Sequence, residues 1–438
     1  MAQRIFLAAI LLFSLGCHAS AQTSAMKITR MGNGLTVILQ EDHSVELVGV
    51  DVWVKAGTIN ETDAINGVSH LIEHLAFGST KKREAGDVDL EMESLGATLD
   101  AHTSRDWAHF STTVPSRYLP KALDVLFDVV TGAQFKEDEM DRERTIVLQE
   151  ISKKQTKPFE VCKDLLAHEL YGNHPYALPI EGTVESVDKL TRQDVLDYYH
   201  KYYVPGNMAV VLMGDIDMQQ AMDAIGKACQ GMPNTAQPQT ANRQVLPPEK
   251  QVVKTVKMPF NNNYVGIAFL GPKGSDYTDV CATDLLLTYI GFGQTNWMTD
   301  ELVKKMGLAT ETTADFLTHK DPAMISLIAA TSEANVDKAR DTIFAKIAEV
   351  KSQGISDFDL AQAKRYLLGQ FAFENETYGG RANSDGFYFA VSDPEFAEKY
   401  IDCVQGITND DIIRVAKSYL DPNHAVIVIL QPNQGGTK

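Results

Sequence analysis

His70-Leu71-Ile72-Glu73-His74 places two imidazoles and a carboxylate within five residues, inside the longer run Gly67 to Phe77. On an α-helix, at about 100° per residue, Glu73 and His74 project from the same face as His70. Two imidazoles at i and i+4 can share one Zn²⁺ through nitrogen, and the carboxylate between them is left free to take a proton from an attacking water. A buried polar cluster on an amphipathic helix is the plainer alternative. A catalytic zinc site also needs a third protein ligand and an open position. The helical pattern beginning near Glu137 offers Glu143 and Glu150, seven residues apart and so within about 20° of each other on one face. Ile146, Val147 and Ile151 accompany them. This face is therefore expected to pack inward, where an unpaired carboxylate is costly, although a solvated acidic stripe is a common arrangement.

These groups need a scaffold, and the chain is long enough to supply one. Its 438 residues are 44% hydrophobic and 22% charged, the composition of a globular protein with two or three domains. Between Gly231 and Gln251 the sequence is rich in Pro, Gln, Thr and Asn and lacks apolar periodicity, which marks a linker between expected domains at 26–230 and 252–438. The two halves are similar to each other. Thr191, Asp194, Val195, Tyr202 and Pro205 have counterparts 217 residues later in Thr408, Asp411, Ile412, Tyr419 and Pro422, so a duplicated unit is the economical explanation. Strand-like runs (Leu35 to Leu39, Leu47 to Val54, Met208 to Met213; Tyr264 to Leu270, Met324 to Ala329, Ala425 to Leu430) mix with helical patterns at Pro120 to Val130, Glu137 to Lys153 and Arg192 to Tyr202. Helical patterns recur at Asn335 to Lys351, Asp357 to Phe373 and Asp410 to Leu420. Consecutive helices without strict β-α-β alternation predict an α+β fold, in which mostly antiparallel sheets are covered by helices.

Net charge and termini narrow the function. A balance of 40 Lys+Arg against 58 Asp+Glu, with no basic patch, argues against a nucleic-acid partner. Arg4, the apolar run Ile5 to Leu15 and Ala19-Ser20-Ala21 form a secretory signal over residues 1–21, so the expected location is a bacterial periplasm, with lipidation at Cys17 as the weaker alternative. Nothing later is long and apolar enough to span a membrane. Cys162, Cys229, Cys281 and Cys403 contain no C-x-x-C pair, and both disulfides and buried free thiols remain open.

Gly67-Val68-Ser69-His70-Leu71-Ile72-Glu73-His74-Leu75-Ala76-Phe77-Gly78-Ser79-Thr80, with Glu150 seventy-six residues after His74, resembles the inverted zinc motif of the pitrilysin family, which includes insulysin and the mitochondrial processing peptidases. Glu143-Arg144-x-x-Val147-x-x-Glu150, His174-Pro175-Tyr176 with Gly182-Thr183, and Tyr202-Tyr203-x-Pro205-x-Asn207-Met208 extend the likeness over essentially the whole chain after the signal. Chain length and a single pair of halves match the short-chain branch, whose subunits work in pairs. The resemblance implies a zinc endopeptidase, with His70, His74 and Glu150 as ligands of one zinc per chain, Glu73 as general base and Glu143 as a supporting carboxylate. It also implies two homologous domains forming half of a clam-shell around a peptide chamber, and a substrate of exported, unfolded or short peptides. The alternative within the same architecture is a non-hydrolytic binding or assembly subunit.

Two departures from the family pattern stand out. Leu99-Asp100-Ala101-His102-Thr103 lies where the family has Asn-Ala-x-Thr on an edge strand that pairs with substrate; Asp100 and Ala101 are therefore candidate substrate contacts, although a carboxylate at Asp100 cannot donate a hydrogen bond. Trp107, His102 and His109 nearby are expected to serve as packing or rim residues. In the second half, active members carry an Arg and a Tyr that reach across to the substrate. Here Val303 and Thr310 stand at those positions, with Lys304 and Lys305 read as a solvated helix end. The resemblance thus implies a heterodimer in which a homologous partner supplies the Arg and Tyr.

Overall fold

The computed structural model describes residues 24–238 and 244–433, so the signal expected at 1–21, with Cys17, and part of the expected 231–251 linker lie outside the described residues. The first half runs β1 (Lys27–Arg30), β2 (Thr36–Glu41), β3 (Leu47–Val54), α1 (Val68–Ala76), α2 (Asp87–Ser94), β4 (Asp100–Thr103), β5 (Ala108–Pro115), α3 (Leu119–Gly132), α4 (Glu137–Lys154), α5 (Pro158–Tyr171), α6 (Val184–Lys189), α7 (Arg192–Tyr202), β6 (Met208–Gly214) and α8 (Met218–Ala228). The second runs β7 (Val252–Met258), β8 (Asn263–Leu270), α9 (Tyr277–Ile290), β9 (Ala309–Phe316), β10 (Met324–Thr331), α10 (Val336–Gln353), α11 (Asp357–Glu374), α12 (Tyr378–Val391), α13 (Phe396–Gly406), α14 (Asn409–Tyr419) and β11 (Val426–Pro432).

Sheet order makes the duplication explicit. The first sheet is β1-β2-β6-β3-β5-β4 and the second β7-β11-β8-β10-β9, the same order once the extra edge strand β1 is set aside. In each, one pair is parallel (β2 with β6, β7 with β11) and the others are antiparallel. The repeated residues Thr191/Asp194 and Thr408/Asp411 do the same work twice: each threonine hydroxyl accepts from the backbone N–H three residues on, and each aspartate side chain returns to the threonine backbone, closing a capping box at the start of α7 and of α14.

The halves are joined by an exchange of helices. α12, from the second half, lies across β3 and β6 of the first sheet, while α5, from the first half, lies across β8, β11 and β10 of the second. Both crossings depend on a glycine that brings backbone close to a large neighbour. A Cβ on Gly386 of α12 would stand 1.9 Å from the Trp53 indole nitrogen, and one on Gly266 of β8 would stand 2.6 Å from Cys162 Sγ of α5. Polar clasps add to the seam. Arg381 Nη1 donates to Asp42 Oδ2 at 2.9 Å, the Tyr378 hydroxyl donates to the Asp42 carbonyl at 2.8 Å, and His319 Nδ1 lies 2.8 Å from Asp106 Oδ2. Cys162, Cys229, Cys281 and Cys403 are free thiols. Among the described residues no helix is long and apolar enough to cross a membrane.

Candidate metal centre

Helix α1 is held at its N-terminus and from below. Its N-cap, Gly67, adopts φ of 91°, and a Cβ there would meet the Glu181 carbonyl at 2.8 Å and Gly182 Cα at 2.9 Å. The buried carboxylate of Glu61 accepts from the backbone N–H of Gly67 at 2.9 Å and of Ser69 at 3.0 Å, and also from the Ser69 hydroxyl. An acidic group there satisfies otherwise unpaired donors and complements the helix dipole. Val68, Leu71, Ile72 and Leu75 are fully buried against the first core, which turns His70, Glu73 and His74 to the opposite face. Helix α4 packs beside α1 through Met140, Val147 and Ile151. Ile146 departs from expectation: it is exposed, so only one flank of this helix packs inward.

Between the two helices, ligand atoms of His70, His74 and Glu150 all lie within 4.8 Å of one another. Glu150 Oε2 is 3.8 Å from His70 Nε2 and 3.5 Å from His74 Nε2. Two donors on one tetrahedral zinc, each at about 2.0–2.1 Å, would be roughly 3.4 Å apart, so these nitrogens and this oxygen need only small adjustments to share an ion. Protonation state agrees with that chemistry. Burial, assisted by the neighbouring His74, pushes His70 down to about 4, so its imidazole is neutral and keeps a lone pair at physiological pH. Glu143 sits on the other side of His74, with Oε2 3.4 Å from Nδ1, which leaves Nε2 facing Glu150.

Glu73 is placed differently from the three. It is largely buried, its Oε2 has no hydrogen-bond partner, and burial raises its pKa against the opposing pull of the Thr103 hydroxyl and the His74 and His102 imidazoles. A carboxylate with a free oxygen and an elevated pKa beside a cluster of metal donors is suited to accept a proton.

The remaining sequence candidates spread around this centre. Asp100 and Ala101 lie on β4, the terminal strand of the first sheet; Asp100 is exposed and Ala101 packs toward the first core. His109 is buried, with Nε2 2.9 Å from Asp51 Oδ2 and its ring stacked on Trp53 at 4.2 Å, as a packing residue. Val303 lies in a π-helical turn, Thr299–Lys305, and is packed against the second core; Thr310 is on β9. Lys304 and Lys305 are exposed and pair with Asp300 at 2.7 Å and Glu301 at 2.9 Å. Two contributors escaped the sequence reading. Glu61 carries no local signal, because its capping role depends on a chain reversal before α1. Lys154 lies one turn beyond Glu150 and bridges Asp164 and Glu181, both at 2.8 Å.

Comparison with known proteins agrees with this architecture. An uncharacterized zinc protease of Streptomyces coelicolor is 26% identical over 410 residues, spanning 92% of this chain and 88% of its own. The beta subunit of the human mitochondrial-processing peptidase is 32% identical over 197 residues, covering 45% of this chain and 40% of its own. A solved Helicobacter pylori protease superposes with a TM-score of 0.87 at 23% identity, covering 93% of this chain and all of that one. Residues 36–184, which include α1 and α4, match the insulinase model of peptidase family M16, and residues 189–367 match the model described as the M16 inactive domain. The donor residues on α1 and α4 fall within the first matched segment, and the two segments together cover most of the chain, which belongs to the M16 metallopeptidase family.

Proposed function

We propose that this chain is a zinc-dependent endopeptidase acting on exported, unfolded or short peptides, as the metal-bearing subunit of a heterodimer. The observation that carries the reading is the convergence of His70, His74 and Glu150 beside Glu73, a buried carboxylate with an unpartnered oxygen. Zinc held by His70, His74 and Glu150 would polarise the scissile carbonyl and acidify the attacking water. Glu73 is placed to accept a proton from an attacking water and return it to the leaving amine, and its raised pKa suits it to that acceptance. Glu143 fixes the orientation of His74. The free edge of β4, with Asp100 and Ala101, offers backbone groups to an extended peptide.

The proposal includes a partner. Val303 is packed against the second core and Thr310 has a short side chain, so neither can supply the guanidinium and phenol that the family resemblance leads one to expect at these positions. Relatives named as subunits of larger assemblies support a paired arrangement. We further propose export to a bacterial periplasm, on the signal-like residues 1–21. The test is metal analysis of the purified chain, followed by peptide hydrolysis by the zinc-loaded chain alone and after mixing with a homologous subunit. Bound zinc with activity rising about 100 to 1,000-fold on mixing supports the reading, as expected when missing electrophilic donors are restored. Full activity of the isolated chain overturns the heterodimer, and a chain that cleaves nothing in either state is the non-hydrolytic subunit.

A further inference from the structure

Strand β4 has two faces. Ala101 and Thr103 turn toward α1, with Thr103 beside Glu73. Asp100 and His102 turn the other way and line a cavity of about 710 Å³ that also takes in Asp51, Glu93, His109 and Ser111, roofed by the first turn of α12. No Lys or Arg is among its lining residues, so three carboxylates face at most two imidazoles. One of the three is unusual. Asp51 is fully buried, its Oδ2 is paired with His109, and its Oδ1 has no partner. Leaving carboxylate oxygens buried and unpaired is costly, and a cationic group with hydrogen-bond donors relieves that cost.

The cavity lies on the reverse side of the strand from Glu73, and an extended peptide alternates its side chains between two faces. A peptide paired along the free edge of β4 therefore sends every second side chain toward Glu73 and the intervening ones toward the acidic cavity. We propose that this cavity is a substrate subsite for a lysine or arginine side chain, one residue out of step with the side chains that face the catalytic carboxylate. The inference rests on the endopeptidase reading for its peptide substrate and adds to it a preference for basic sequences.

The experiment uses one peptide scaffold in which a single lysine, norleucine or glutamate is walked through the positions around the cleaved bond. Binding to full-length Glu73→Gln is read by fluorescence anisotropy, and kcat/KM is read on the zinc-loaded wild-type complex. In one register lysine should bind at least about tenfold more tightly than norleucine, with glutamate weakest; the adjacent position should be indifferent, and added salt should shrink the difference. Asp100→Asn combined with Glu93→Gln should bring the lysine-to-norleucine ratio toward one. Equal binding of lysine and norleucine at every position overturns the subsite, as does a lysine preference that survives both substitutions. If the complex cleaves nothing while Glu73→Gln shows the lysine register, the peptidase reading fails and the subsite stands. If the complex cleaves peptides with no lysine preference at any position, the peptidase reading stands and the subsite fails.

Discussion

The two halves share a sheet order and a helix sequence, yet they use equivalent helices differently. α1 is nine residues long and keeps one face for His70, Glu73 and His74. α9, its counterpart after the second strand of the core pair, is fourteen residues long, and its Leu285, Leu286 and Leu287 are all buried. Likewise α4 presents Glu143 and Glu150 to its neighbour, whereas α11 packs Leu360 and Ala363 inward and leaves Phe358 and Phe373 in solvent. The comparison separates scaffold from chemistry: caps, sheet order and helix exchange occur in both halves, while the metal donors occupy a few positions in one.

The largest test of that separation is Glu73→Gln. It should retain metal and fold while lowering turnover by about 10² to 10⁴-fold, measured by zinc content and peptide hydrolysis side by side. Loss of metal instead would make Glu73 a ligand and blur the distinction between base and donors. Next in size is Glu143→Gln, which should weaken zinc affinity about 10 to 100-fold in competition with a chelator, with folding unchanged. Unaltered affinity would mean that His74 is oriented without it.

Smaller effects probe what the halves have in common. Gly386→Ala must displace the buried Trp53 indole, and Gly266→Ala must displace Cys162 and Leu166, so each should destabilise the chain by about 1–3 kcal/mol in denaturant titration, Gly386→Ala the more. If one seam tolerates its alanine freely, the two crossings are not equivalent. The smallest expected effect concerns Asp385, which burial, with Glu398 and Asp51 nearby, pushes up to about 7 from 3.8. A carboxyl with a raised folded pKa favours the folded state at low pH. That contribution is lost as pH rises from about 4 through about 7. Between pH 5 and pH 8, Asp385→Asn should therefore remove a decline in stability of at most about 2 kcal/mol, seen as a flatter profile of melting temperature against pH.

Much of this was legible because it is written locally. Leu47–Val54 and Arg192–Tyr202 fall at the residues their periodicity marks, and the repeated Thr/Asp pairs mark two capping boxes. The spacing of His70, Glu73, His74, Glu143 and Glu150 was enough to single out side chains that the fold brings between two adjacent helices. What did not show were α5 and α12, the two helices that cross between halves. α12 contains Gly379, Gly380 and Gly386 and buries Asp385, so it reads as a loop. Its glycines serve close approach to a sheet far away in sequence, and no window of sequence carries that information. Glu61 escaped for the same reason, since the donors it satisfies are gathered only after the chain turns back.

The exchange of α5 and α12 also sets a timetable for biosynthesis. The face of the first sheet that carries Trp53 is complete in sequence long before Tyr378–Val391, the helix that covers it, has been made. At about 5–20 residues per second, that face waits roughly 9 to 35 s on the ribosome. Until that helix is made, the apolar face of the first sheet has nothing to cover it, so the first half is expected to complete its folding only after the second half is available.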